Sequence, residues 1–234
     1  MTRSATVPQV RRLSGIQAAI IDLDGTMMDT APDIHAALNA MRRDLGLGQI
    51  DLELATSLIG KGSENLVLEV LALDYANEQV EQHFETALGA YLGHYLALNG
   101  VHSTLYPGVL DGLETMKSAG LRLACVTNKP IGFAAPLLRS AGLAGFFEVT
   151  YGGDSLPHKK PDPYPMLQVC RDFSLAPHQV VAIGDSSNDA RAARAAGCAV
   201  LTVPYGYNHG RPVQEIDSDG IVATLLDAAQ LVTG

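Results

Sequence analysis

Two aspartates one residue apart, Asp22 and Asp24, close an apolar run and are followed at once by Gly25 and Thr26. A carboxylate in such a place can act as a nucleophile, and a second one beside it can lend and take a proton. Both can face one site only if the strand carrying them ends there, and Gly25 supplies the turn that frees it. Three more polar clusters follow similar runs: Thr127-Asn128-Lys129, then His158-Lys159-Lys160-Pro161, then Gly184-Asp185-Ser186-Ser187-Asn188-Asp189. Carboxylates, a hydroxyl and an ammonium thus recur at segment ends in a definite order.

These clusters need elements that aim them at one place. The runs Ile16–Leu23, Leu121–Val126, Phe146–Tyr151, Val180–Ile183 and Ala199–Val203 are short, apolar and mostly unalternating. Such runs suit strands covered on both faces, as in a parallel sheet. Between them lie helical spacings: Val109, Leu113 and Met116 in one, Leu137, Leu138 and Ala141 in another. Asp162-Pro163 reads as an N-cap with Pro at the first helical position, opening a helix through Met166, Leu167 and Cys170. Pro136 reads as a first-turn or kink residue. The alternation predicts an α/β domain with a doubly wound parallel sheet, and ligands of such sheets bind beyond the carboxyl ends of the strands.

The stretch from the first strand to Pro107 reads differently, with helical stripes and no strand-like run. Thr30 with Asp33 resembles a capping box before Ile34, Ala37, Leu38 and Met41. Leu66, Val70 and Leu71 form a second stripe; Val80, Phe84, Leu88, Tyr91, Leu92 and Tyr95 form the longest. The expected organisation is an N-terminal tail over 1–15, a core over 16–29 and 107–234, and a helical cap over 30–106, inserted above the end of the first strand.

Composition limits the function. With 234 residues, 47% hydrophobic and 18% charged, the chain is expected to pack as a globule. Its net charge of −9 gives no general positive field, so no nucleic-acid or anionic-membrane partner is expected. Cys125, Cys170 and Cys198 show no metal or disulfide spacing and fit reduced thiols in a cytoplasmic protein. Met1–Ser14 lacks the apolar core of a signal peptide, and no apolar run reaches the roughly 18 residues of a membrane span.

Taken in order, these motifs resemble the haloacid dehalogenase superfamily from Ile16 to the end of the chain. Val126–Pro130, Lys159–Pro163, Gly184–Asp189 and Tyr205–Gly210 are similar to the corresponding stretches of bacterial phosphoglycolate phosphatases. The resemblance implies a Rossmann-like core with a helical cap, and hydrolysis of a small phosphate monoester through a phospho-aspartyl intermediate. It implies that Asp22 attacks phosphorus, that Asp24 serves the leaving alcohol and then water, and that Thr127 and Lys160 hold phosphoryl oxygens. Asp185, Asp22 and the backbone carbonyl of Asp24 would ligate Mg2+, and Asp189 would support Lys160. Gly25, Thr26, Asn128 and Lys61 are the further expected substrate contacts. Lys61 lies between two glycines in the loop Ile59–Ser63, where it could meet a substrate carboxylate. Met27 and Met28 stand where the family more often has Leu and a β-branched residue, a packing variation.

A metal also follows from charge. A carboxylate about 4 Å from a phosphate charge is repelled by ~4 kcal/mol at an effective dielectric near 20. One lysine cannot offset four aspartates, and an all-oxygen donor set favours magnesium over zinc. The partner is then a small phosphorylated metabolite, and the protein a monomer or homodimer.

Other signals are weaker. Gly60-Lys61-Gly62-Ser63 fails as a P-loop, because Ala55 replaces its first glycine and Gly62 the residue after lysine. The seven histidines are dispersed, and His158 reads as a loop residue. Arg191 and Arg194 read as a solvated helix face. A sugar phosphomutase on the same core is the alternative enzyme, disfavoured by Thr26. A receiver-type phospho-accepting protein is the alternative class, disfavoured by the acidic pair on the first strand and by the helical insert.

Overall fold

Apolar runs without a polar face pair where both sides can be covered, and here they form one parallel sheet. The computed structural model describes residues 12–234, so residues 1–11 of the expected tail lie outside the described residues. The chain runs β1 (Ala18–Ile21), β2 (Met28–Asp29), α1 (Ala31–Asp44), α2 (Leu52–Leu58), α3 (Ser63–Leu71) and α4 (Asn77–Leu98). It continues through β3 (Thr104–Leu105), α5 (Val109–Ser118), β4 (Arg122–Val126), α6 (Ile131–Ser140) and β5 (Val149–Tyr151). Then come α7 (Tyr164–Asp172), β6 (Val180–Gly184), α8 (Ser187–Ala196), β7 (Ala199–Thr202), β8 (Gly220–Ile221) and α9 (Leu225–Thr233).

The six-stranded sheet has the order β5-β4-β1-β6-β7-β8, with every pair parallel. β1 lies between β4 and β6, and its residues alternate between two cores as the pleat requires. Ala19 and Ile21 join Leu113 of α5, Leu137 of α6 and Leu225 of α9. Ala18 and Ile20 face Met166 and Val169 of α7 and Ala193 of α8. Helices therefore cover both faces, which is the α/β, Rossmann-like architecture of a doubly wound sheet. Reversal of strand order beside β1 opens a crevice at its carboxyl end.

Helices α1–α4 share a core of their own. It joins Leu38 and Met41 to Val67, Val70 and Leu71 and to Ala87, Tyr91 and Tyr95. Of the stripe expected along α4, Val80, Tyr91 and Tyr95 are buried, while Phe84, Leu88 and Leu92 are only partly covered. Among the described residues no helix is long and apolar enough to cross a membrane, and Cys125, Cys170 and Cys198 are buried and unbridged.

Several local expectations are corrected. The stretch before Pro107 does contain strand: β2 and β3 pair antiparallel, Met28 with Leu105 and Asp29 with Thr104. Two-residue strands are too short to show a period. Thr30 does precede α1, but it makes no side-chain cap. Its hydroxyl donates to Asp24 Oδ1 at 2.6 Å, and Asp33 accepts from the backbone N–H groups of Gly100, His102 and Ser103. A distant demand has taken both members of the apparent capping box. α7 begins at Tyr164, one residue later than expected, with Asp162 accepting from the Tyr164 N–H. Pro136 lies inside α6, beyond its first turn.

Candidate active site

Asp22 follows β1 and still pairs with the sheet, its N–H donating to the Ile183 carbonyl at 3.0 Å. The chain then folds back on itself, and the N–H groups of Thr26, Met27 and Met28 all point to the Leu23 carbonyl. Gly25 makes this turn at φ +80°, where a Cβ would lie 2.3 Å from Asp185 Oδ2. The requirement is therefore double: a left-handed backbone and no side chain. Thr26, fully buried, donates from Oγ1 to Asp185 Oδ1 at 3.1 Å. Gly25 and Thr26 were expected at the substrate, but the structure places them behind Asp185 and outside the cavity lining. Their role is to seat that carboxylate.

Lys160 comes from the loop before α7 with its side chain only 2% exposed. Its Nζ lies 2.8 Å from Asp22 Oδ1 and 2.6 Å from Asp189 Oδ1, and donates to the Val126 carbonyl at 2.7 Å. Asp189 is itself fixed by the N–H and hydroxyl of Ser186, which caps α8. Carboxylate oxygens of Asp22, Asp185 and Asp189 fall within 4.8 Å of one another. Asp189 thus joins the cluster directly as well as supporting Lys160. Asp24 was expected at the metal only through its backbone carbonyl, and its carboxylate has other partners, Lys129 Nζ at 2.8 Å and the Thr30 hydroxyl.

Burial sets the electrostatics. Loss of water pushes Asp22 up to about 7; Lys160 opposes the shift, while Asp189 and Asp24 reinforce it. Asp185 is raised well above the usual carboxylate range by burial, then by Asp189 and Asp22. Burial also works against the charge of Lys160, but Asp189 and Asp22 together hold it protonated beyond the ordinary lysine range. The ammonium serves two carboxylates, so its own charge is secure while the acidic cluster stays under-compensated. Hard oxygen donors carrying surplus negative charge fit a divalent cation.

Above the cluster is a cavity of about 40 Å³, where a single water needs roughly 10–15 Å³. Asp22, Asp24, Thr127, Lys129 and Asp185 line its floor; Ile34, Ile59, Leu66, Tyr91 and Tyr95 line the opposite wall. Thr127 is 3% exposed and accepts the Lys129 N–H at its hydroxyl. Asn128 reaches the cavity lining, yet its Nδ2 donates to the carbonyls of Gly60 and Lys160, both at 2.9 Å. It ties the α2–α3 loop to the lysine loop. Asn188 adds a second bond to the Gly60 carbonyl at 3.2 Å.

Lys61 does not join the site. Its Nζ pairs with Glu69 at 2.8 Å, its side chain is 44% exposed, and it lines a separate outer hollow with Glu64 and Arg191. Its neighbours Gly60 and Gly62 line the cavity instead, because the loop turns the intervening side chain outward. His158 is exposed and meets Tyr164 edge-on.

Two residues escaped sequence reasoning. Lys129 stood in the flagged cluster after β4, but nothing local distinguished it from a solvated lysine. Tyr207 had no chemical signal of its own. Its N–H donates to Asp185 Oδ2, while its hydroxyl receives the N–H groups of Thr30 and Ala31 and donates to Asp29. One residue, through its backbone N–H and its phenol, thereby links the acidic cluster to the start of α1.

The sequence profile of the haloacid dehalogenase-like hydrolases matches residues 16–197. A phosphoglycolate phosphatase of Nitrosospira multiformis is 48% identical over 217 residues, covering 93% of this chain and 96% of that protein. One from Thiobacillus denitrificans is 46% identical over 218 residues, again covering 93% and 96%. The crystal structure of a predicted phosphoglycolate phosphatase from Haemophilus somnus matches with a TM-score of 0.84 at 34% identity, covering 94% of this chain and 99% of that one.

Proposed function

The chain belongs to the haloacid dehalogenase-like hydrolases, and on that premise we propose that it hydrolyses 2-phosphoglycolate to glycolate and phosphate with Asp22 as nucleophile. The names of relatives alike along nearly the whole chain support that substrate. The observation that carries the chemistry is the acidic pair Asp22 and Asp24 on the floor of one small cavity, with an ammonium on each.

In the first half-reaction a carboxylate oxygen of Asp22 attacks phosphorus and the bond from phosphorus to the glycolate oxygen breaks. Asp24 gives its proton to the departing oxygen. In the second half, Asp24 takes a proton from water, the oxygen of that water attacks phosphorus, and the bond to Asp22 breaks to release phosphate. Thr127 and Lys160 hold phosphoryl oxygens during both steps. Asp22, Asp185 and Asp189, with the backbone carbonyl of Asp24, suit Mg2+, which when bound would offset the negative charge and polarise the phosphoryl group.

Residues 30–106 act in this reading as a cap over the core formed by 16–29 and 107–234. Its apolar wall keeps water from the reacting atoms. The small cavity supports a substrate with few atoms beyond the phosphoryl group. Buried, unbridged cysteines agree with a reducing, cytoplasmic setting.

Phosphate release from a panel of metabolites tests the substrate. The expected result is a clear preference for 2-phosphoglycolate over hexose phosphates and nucleotides. A tenfold preference for a hexose phosphate overturns the assignment.

A further inference from the structure

Lys160 is already shared between two carboxylates, while a second buried ammonium stands at the other member of the acidic pair. Lys129 extends from the loop after β4 with its side chain 5% exposed. Its Nζ lies 2.8 Å from Asp24 Oδ1 and 4.7 Å from the centroid of the Tyr95 ring. Asp24 is its one carboxylate partner among the described residues. An ammonium has three donors, and the ring face attracts the charge without consuming them all. Lys129 also lines the cavity.

Asp24 and the Tyr95 ring leave this buried ammonium with donor capacity unused. Because Lys129 lines the cavity, a second anion bound there can take it up.

We propose that Lys129 is a specificity residue whose ammonium binds the carboxylate of a short phosphorylated hydroxy acid. The inference rests on the phosphatase reading above and names the group that selects its substrate. In 2-phosphoglycolate the carboxyl carbon is two bonds from the oxygen that Asp24 protonates, so a group bonded to Asp24 is within reach of the carboxylate. Ile34, Ile59 and Leu66 on the facing wall add apolar surface against the short carbon chain. The loop lysine expected in this role from the sequence, Lys61, is held outside by Glu69.

The test compares wild type, Lys129→Met and Lys129→Arg on 2-phosphoglycolate and on its uncharged amide, 2-phosphoglycolamide. Inhibition by the non-hydrolysable 3-phosphonopropionate and by uncharged-tailed propylphosphonate is measured in parallel. Wild type should favour the carboxylate substrate in kcat/KM by roughly 10- to 100-fold, the range of a hydrogen bond to a charged group. Lys129→Met should erase that ratio and weaken 3-phosphonopropionate by a similar factor while leaving propylphosphonate unchanged; Lys129→Arg should retain part of both. The inhibitor comparison needs no turnover, so it decides the matter even if losing Lys129 disables Asp24. A wild-type preference that survives in Lys129→Met overturns the assignment of Lys129 alone. A wild type indifferent to the carboxylate overturns both this inference and the substrate reading.

Discussion

Asp22 and Lys160 are two halves of one electrostatic unit, and each can be removed separately. Asp22→Asn keeps the shape of the side chain but removes the proposed nucleophile. It should lower phosphate release by several orders of magnitude with an unchanged circular dichroism spectrum. Retention of more than about a tenth of the activity would contradict the role given to Asp22. The adjacent lysines provide a sharper contrast. Lys160 is buried between Asp22 and Asp189, whereas Lys159 is 37% exposed and sits 3.7 Å from Glu64. Lys160→Ala leaves two buried carboxylates without their cation, a loss of the kind that costs ~3–5 kcal/mol. Activity and thermal stability should fall together in that variant. Lys159→Ala should change stability by less than about 1 kcal/mol, as for other exposed pairs. Urea titrations of the two variants beside phosphate-release assays would reveal a wrong choice between the lysines as a reversed order.

At the scale of elements, the loop after β7 connects parts far apart in sequence. Through its N–H and hydroxyl, Tyr207 spans from Asp185 to the first turn of α1. Burial keeps the phenol protonated well above its ordinary range, with nearby Tyr106 and Asp29 adding to the effect. Tyr207→Phe would leave the Thr30 N–H without its acceptor, while the Ala31 N–H keeps Asp29 Oδ1 at 3.3 Å, and a buried unsatisfied donor costs about 1–3 kcal/mol. A loss of roughly 1–3 kcal/mol in denaturant unfolding, together with a raised KM, is the expected outcome. An unchanged KM would mean that the start of α1 keeps its place without the hydroxyl. The α2–α3 loop is held more redundantly, since Asn128 and Asn188 both donate to the Gly60 carbonyl.

In a molecule of net charge −9, three carboxylates meet at one buried point with a single shared ammonium. Asp22 has a folded pKa of about 7, above its ordinary 3.8, and Asp185 is raised as well. A raised acid contributes stability while protonated, fully so below pH ~4, and loses that contribution as the pH climbs through the folded value. Without a divalent cation, stability from this cluster should therefore decline between about pH 4 and 7. The proposed Mg2+ site takes the ionised carboxylates, so Mg2+ should raise Tm more at pH 8 than at pH 5.5. At a hundredfold excess over Kd the linkage is about 2.7 kcal/mol, which at 2–4 °C per kcal/mol is a rise of roughly 5–10 °C. Differential scanning fluorimetry with Mg2+ and with a chelator measures this directly. Equal shifts at both pH values would contradict the assignment of Asp22 and Asp185 to the cation.

The sequence by itself determined five of the six parallel strands, the helices α5 to α8 between them and the chain positions of the clusters around Asp22, Thr127, Lys160 and Asp185, but neither β8 nor α9. Those features are written in short-range patterns: apolar runs for strands covered on both faces, and polar residues where each run stops. Only the tertiary structure decided which neighbouring side chain turns inward. Lys61 was expected to meet the substrate carboxylate, but it is drawn out to Glu69, while Lys129, which carried no signal of its own, is enclosed with Asp24 and Tyr95. Thr26 and Gly25 support Asp185 across 159 and 160 positions of chain, and Thr30 abandons its apparent cap for Asp24. Tyr207 reaches Thr30 across 177 positions. No local period encodes such pairings. They arise when a buried donor or acceptor must find a partner and the nearest one in space comes from another part of the chain.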